Sequence, residues 1–124
     1  MGGPYEFGAN FDEIPSISQQ ALQVRSHSPD VSTARERARA LSLAGVAERI
    51  EMPFLVVFGK QDRLIPYQDA ERLYAELRSK DKHLEMYDGG NHVVNNMPYA
   101  YRPLVADWVA DHLYGGRAPT VRCS

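Results

Sequence analysis

The run Phe54-Leu55-Val56-Val57-Phe58 constrains this chain more than any other segment, because continuous β-branched and aromatic residues are the pattern of a strand covered on both faces. Behind it, Ala70, Leu73, Tyr74 and Leu77 fall at i, i+3, i+4 and i+7, while Glu71, Arg72 and Glu76 occupy the other side. That spacing predicts an amphipathic crossover helix. Leu84 to Tyr87 reads as a second short strand, and Tyr101, Leu104, Val105, Trp108, Val109 and His112 follow helical spacing to the end of the motif. Pro103 sits early enough in this last helix to be tolerated, and Gly115-Gly116 ends it. Two strands joined by one helix pair in parallel with a right-handed crossover, so both carboxyl ends face one edge of the sheet.

Upstream of Met52-Pro53 the grammar is different. Residues 2–15 are rich in Gly, Pro and aromatics, and Ser16 to Ser26 carries Ile17, Ala21 and Val24 at helical spacing. Thr33 to Leu43 predicts another helix, with Thr33 as its cap and Glu36 reaching back in a capping box. Gly45 reads as a stop, followed by a turn through Val46 to Ile50. The expected organisation is an irregular, helical arm over 1–51, a strand-helix-strand-helix unit over 52–114 and a flexible tail over 115–124. Two strands make a poor sheet, so self-association through an unpaired edge is expected unless other chain covers it.

Composition narrows the function. A chain of 14.0 kDa with 44% hydrophobic residues buries one modest core, and a net charge of -2 with interspersed signs argues against a nucleic-acid partner. The longest apolar stretch is too short to span a bilayer and the N-terminus lacks the regions of a signal peptide, so a cytoplasmic protein without a membrane partner is expected. Cys123 cannot form an internal disulfide and reads as a tail thiol. The four histidines and Cys123 show no metal-ligand spacing, and no cofactor is implied.

The chemistry lies in two loops. Asp62 follows Phe58 by four residues in Gly59-Lys60-Gln61-Asp62, and His92 follows Tyr87 by five in Asp88-Gly89-Gly90-Asn91-His92. If the strands are neighbours at about 4.8 Å, such loops can bring a carboxylate within reach of an imidazole, and with one strand between them loops of this length could still meet. The carboxylate would then fix one ring tautomer and let the histidine exchange a proton near neutral pH. Each residue also has a structural reading: Asp62 as a turn former, His92 as a satisfied loop histidine. Asp88 is the rival acid, although a position before Gly89-Gly90 suits a turn. His27, His83 and His112 read as structural or solvated. Trp108, Tyr99, Tyr101 and Tyr114 read as core packing rather than a stacking site. Asn95, Asn96 and Met97 either line a pocket or cap the last helix.

Gly59-Lys60-Gln61-Asp62-Arg63-Leu64-Ile65-Pro66 after a strand, and Gly89-Gly90-Asn91-His92 before the last helix, resemble the closing third of an α/β-hydrolase. Gly2-Gly3-Pro4-Tyr5 and the run from Asn91 to Tyr99 are similar to bacterial 2,6-dihydroxypseudooxynicotine hydrolase-like and esterase-like members. The resemblance implies Asp62 as triad acid and His92 as general base, with a nucleophile upstream of both. No Gly-x-Ser-x-Gly occurs in the sequence, which the resemblance explains if the chain begins downstream of that serine. The expected activity is hydrolysis of a small-molecule ester, or of a carbon–carbon bond next to a carbonyl, with the isolated chain inactive or nearly so. The alternatives are a non-catalytic binding or assembly module, and a serine of this chain acting through an unfamiliar geometry.

Overall fold

A computed structural model of the chain describes residues 3–115. The elements run α1 (Ser16–Arg25), α2 (Val31–Arg39), a 3-10 turn (Ala47–Arg49), β1 (Phe54–Gly59), α3 (Tyr67–Glu76), β2 (Lys82–Tyr87), a second 3-10 turn (His92–Val94) and α4 (Pro98–Tyr114). Cys123 and the tail expected over 115–124 lie outside the described residues apart from Gly115, which closes α4 in the left-handed conformation at φ 60.

β1 and β2 pair in parallel, with Val56 opposite Leu84 and Phe58 opposite Met86. Alternation then sends β1 side chains to two cores. Val56 and Phe58 pack with Ala70 and Leu77 of the α3 side, supported by Leu73, Leu84 and Met86. Val57 packs the other way, with Val94 and Tyr101 and with Leu55, Tyr87 and Val105 around them. The strand is therefore covered on both faces, as its unbroken apolar run requires. Ala70, Leu73 and Leu77 face the core around Val56 and Phe58 as the spacing predicts, although α3 ends at Glu76 and Leu77 follows it in an extended conformation, and α4 passes through Pro103 without a break.

The arm differs from expectation in three places. α2 starts earlier than Thr33, because the Asp30 carboxylate accepts the Thr33 amide at 2.7 Å and takes the capping position. Glu36 pairs with Arg39 at 2.9 Å instead of reaching back. The helix also ends at Arg39, since Leu41 and Leu43 turn away to meet the N-terminal segment: the Phe7 amide donates to the Leu41 carbonyl and the Leu43 amide to the Tyr5 carbonyl, both at 2.9 Å. Finally, the Ile17 and Val24 stripe of α1 faces solvent, each 74% exposed. It is Leu22 that packs with Phe11, Ala34 and Ala38 in a third, separate cluster.

The arm is pinned to the sheet unit through Tyr5. Its amide donates to Asp69 at 2.9 Å, its hydroxyl donates to Glu76, and Arg72 lies 4.0 Å above its ring. Tyr5 is thereby buried, and the hydrogen bond with Glu76 holds its hydroxyl proton more tightly than usual. Of the aromatic residues expected in the core near α4, Tyr101 is buried, whereas Tyr99 and Tyr114 are exposed. Trp108 is half-buried and stacks on the His112 ring.

Candidate active site

β1 and β2 end at the same edge, and glycines there let the two outgoing loops touch backbone to backbone. A Cβ on Gly59 would overlap the Gly90 and Asn91 carbonyl oxygens, and one on Gly90 would come 2.9 Å from the Gly59 Cα. The contact is stitched by amides: Lys60 donates to the Tyr87 carbonyl and Gln61 to the Gly90 carbonyl, each at 2.9 Å. No residue with a side chain fits at either position without moving a loop.

Within this junction Asp62 is anchored on both oxygens. Oδ1 accepts the Leu64 amide at 2.9 Å and the Ile65 amide at 3.1 Å, and Oδ2 lies 2.9 Å from Nδ1 of His92. The Asp62 side chain is 2% exposed and that of His92 is 42% exposed. The carboxylate can only accept, so Nδ1 carries the proton and Nε2 of a neutral ring holds the lone pair. Among the described residues, Nε2 has no hydrogen-bond partner.

The loop carrying His92 is held in an uncommon shape. Val93 and Val94 have φ of 51 and 56, a left-handed conformation that β-branched residues avoid at a cost of about 1–3 kcal/mol each. Packing overrides the preference: Val94 is fully buried against Val57 and Tyr101. Asn91 and Asn96 close the loop reciprocally, the Asn91 amide donating to the Asn96 side-chain oxygen at 2.9 Å and the Asn96 amide to that of Asn91 at 3.2 Å. Asn96 also donates to the Gly89 carbonyl at 2.8 Å. Asn96 thus shapes the loop, and Met97 precedes α4 while packing beneath it.

Asp88 does not meet the histidine. It lies 85% exposed and pairs with Lys60 at 2.5 Å, which raises the hold of the lysine on its proton, first through the hydrogen bond and then through charge. His83 pairs with Glu85 at 2.9 Å, and His112 joins Asp81 far from this edge. His27 has a φ of 51 in the turn after α1. Among the described residues there is no cluster of three or more metal-ligating side chains, and no helix is long and apolar enough to cross a membrane.

His92 stands between two concavities. One is an open hollow of about 640 Å³ lined by Lys60, Gln61, Asp62, Arg63, Leu64 and Asn91 as well as His92 itself. The other is a cleft of about 190 Å³ formed between the arm and Leu64, Ile65 and His92. Ser18 lines this cleft, yet no serine among the described residues hydrogen-bonds to the His92 ring. Sequence reasoning expected Asp62 and His92 to meet, as they do, and missed what holds their loops: Asn91, Asn96 and the paired glycines. The Gly89-Gly90 doublet and the Asn91/Asn96 spacing were the available signals.

Residues 19–97 match the family described as serine aminopeptidase, S33. The monoacylglycerol lipase of Mycolicibacterium smegmatis is 39% identical over 83 residues, which are 61% of this chain and 30% of the lipase. The monoglyceride lipase of Mus musculus is 43% identical over 47 residues, 38% of this chain and 16% of the mouse protein. This chain thus spans less than a third of either lipase. Among solved structures, 2,6-dihydroxy-pseudo-oxynicotine hydrolase superimposes with a TM-score of 0.78 at 22% identity, over 92% of this chain and 34% of that one. The Pyrococcus furiosus esterase Pf2001 gives 0.54 at 14% identity, over 86% and 40% of the two chains. The architecture is that of part of an α/β-hydrolase fold.

Proposed function

Starting from the membership of this chain in the serine aminopeptidase S33 family of serine hydrolases, we propose that Asp62 and His92 are the acid and general base of a catalytic triad whose serine lies outside residues 3–115. One observation carries the reading: a carboxylate buried and held by two amides binds one nitrogen of an imidazole whose other nitrogen is unpartnered at the mouth of a hollow. That arrangement orients the ring and leaves Nε2 to work.

In the reaction, a serine Oγ attacks the substrate carbonyl while Nε2 of His92 takes its proton. Asp62 stabilises the resulting imidazolium through Nδ1. His92 then returns the proton to the departing group, and a water activated by the same nitrogen hydrolyses the acyl-enzyme. The substrate class is a small carbonyl compound, either an ester or a molecule cleaved at a carbon–carbon bond beside the carbonyl. The lipases, the hydrolase and the esterase similar to this chain all bear names of hydrolytic enzymes, which supports the coarser statement and leaves the leaving group open to assay.

Two experiments test the reading. A chimera in which this chain replaces the matching segment of the Mycolicibacterium smegmatis lipase is expected to hydrolyse a p-nitrophenyl ester, and a folded chimera with no such activity sinks the assignment. Separately, the 124-residue chain treated with a fluorophosphonate is expected to gain no stoichiometric mass. An adduct that disappears in His92→Ala would place the nucleophile within the chain, with Ser18 as the first serine to replace.

A second reading, a non-catalytic assembly module, draws on the solvent-facing Ile17 and Val24 stripe and on the two-stranded sheet. Under it, sedimentation of the purified chain would show a stable oligomer, and the chimera would be inactive.

A further inference from the structure

The two concavities beside His92 differ in kind. The larger is an open hollow in which Leu64 stands among Lys60, Gln61, Asp62, Arg63 and Asn91, whereas the smaller is walled by Phe7, Ile14 and Pro15 of the arm and by Leu64 and Ile65 of the acid loop. His92 stands on the boundary between the two, so a substrate whose carbonyl meets it can place a group on either side. An apolar group gains by burial in the cleft, whose lining is almost wholly apolar.

The cleft is also small. Its volume of about 190 Å³ falls below the roughly 300–1,000 Å³ of pockets that enclose drug-sized ligands. It is close instead to a dry engineered cavity of about 150 Å³ that takes up benzene. We infer that this cleft is the subsite for a compact apolar group of about six carbons on the substrate, an aryl ring or short acyl chain, and that it excludes long acyl chains. The inference deepens the proposed function and rests on it for the role of His92.

The far wall is fixed before any ligand arrives. Gln19 donates to the carbonyls of Phe11 at 3.1 Å and Ile14 at 3.3 Å, holding the turn that presents Ile14. Tyr5 ties the start of the arm to Asp69 and Glu76 of α3, and Arg72 covers its ring. Phe7 is anchored through its amide to Leu41. A wall held at this many points sets a length limit rather than yielding to a longer chain.

The test uses the 124-residue chain and sodium butanoate, hexanoate and decanoate as probes, followed by NMR of the Ile14 and Ile65 methyls and the His92 ring. Affinity is expected to rise about fourfold per methylene from butanoate to hexanoate, the value of burying each CH₂, and then to level off at decanoate. Phe7→Ala, which lengthens the cleft, should move the plateau to longer chains, and Ile65→Phe should weaken hexanoate. The unchanged Nδ1 proton signal of His92 checks that each variant keeps the site. A continued rise through decanoate overturns the length limit. Shifts confined to Lys60 and Arg63, or no shift at all, overturn the subsite. Because the readout is binding, it separates from the chimera assay: an inactive chimera with hexanoate still in the cleft refutes the triad and leaves the subsite standing.

Discussion

Two aspartate–histidine pairs close opposite ends of the same strand pair, and they are held differently. Asp62 and His92 meet at 2.9 Å where β1 and β2 end; Asp81 and His112 meet at 2.6 Å just before β2 begins. In the first, the carboxylate is buried and amide-bound, and one ring nitrogen stays unpartnered among the described residues. In the second, the carboxylate is exposed and the ring is occupied on both sides, Nδ1 lying 2.6 Å from the Trp108 carbonyl and Nε2 facing Asp81. Two acceptors require two ring protons, so His112 favours the imidazolium, and its pKa is raised first by the Trp108 carbonyl and then by Asp81. A short Asp–His distance therefore does not define a base. What defines it is an acceptor on one nitrogen only, with the other facing space where a substrate can stand.

The largest test of this contrast is at the first pair. In the lipase chimera, His92→Ala is expected to lower kcat on the order of 10⁶-fold, and Asp62→Asn about 10⁴-fold because the amide favours the wrong tautomer. The corresponding Asp81→Asn and His112→Gln variants should leave kcat within a few-fold. Gly59→Ala comes next: the added methyl must displace the Gly90 loop, and a shift near 1 Å costs about 10²-fold in kcat. Its unfolding midpoint in urea separates misplacement from collapse.

A smaller effect, seen only against pH, belongs to the second pair. The folded pKa of His112 lies above the ordinary value of 6.5, so protonation favours the folded state. The stabilisation is fully present below about pH 6.5 and fades as pH rises through the raised folded value. Urea midpoints of the wild type should thus exceed those of His112→Gln at acidic pH and converge with them at alkaline pH. Trp108, the one tryptophan, stacks on His112 with ring centroids 3.8 Å apart, so its fluorescence should titrate with that residue and cease to do so in the variant. Smallest of all, Asp88→Asn should change neither kcat nor the urea midpoint, since its partner Lys60 and the carboxylate are both exposed.

The strand pair, the α3 stripe and the Asp62–His92 juxtaposition were legible because each follows from local pattern: an apolar run, a helical period, and loops leaving one sheet edge. The roles proposed for the pair drew also on family resemblance. What stayed hidden depends on partners distant in sequence. Periodicity showed that Ile17 and Val24 share a face without showing that Leu22 would be the residue to pack. Thr33 and Asp30 both suit a helix cap, and only the path of the chain chose Asp30. The burial of Tyr5 against Glu76, like the union of Asp81 with His112, is set by folding across most of the chain and leaves no local trace.

The Gly59–Gly90 junction has a consequence for transplantation. Asp62 and His92 are joined through adjoining backbones and the short bonds that stitch them, so their spacing is an internal property of residues 54–97. A unit with its own internal ruler can be grafted as a cassette. Recombination that cuts ahead of β1 would exchange the arm while leaving the Asp62–His92 geometry intact.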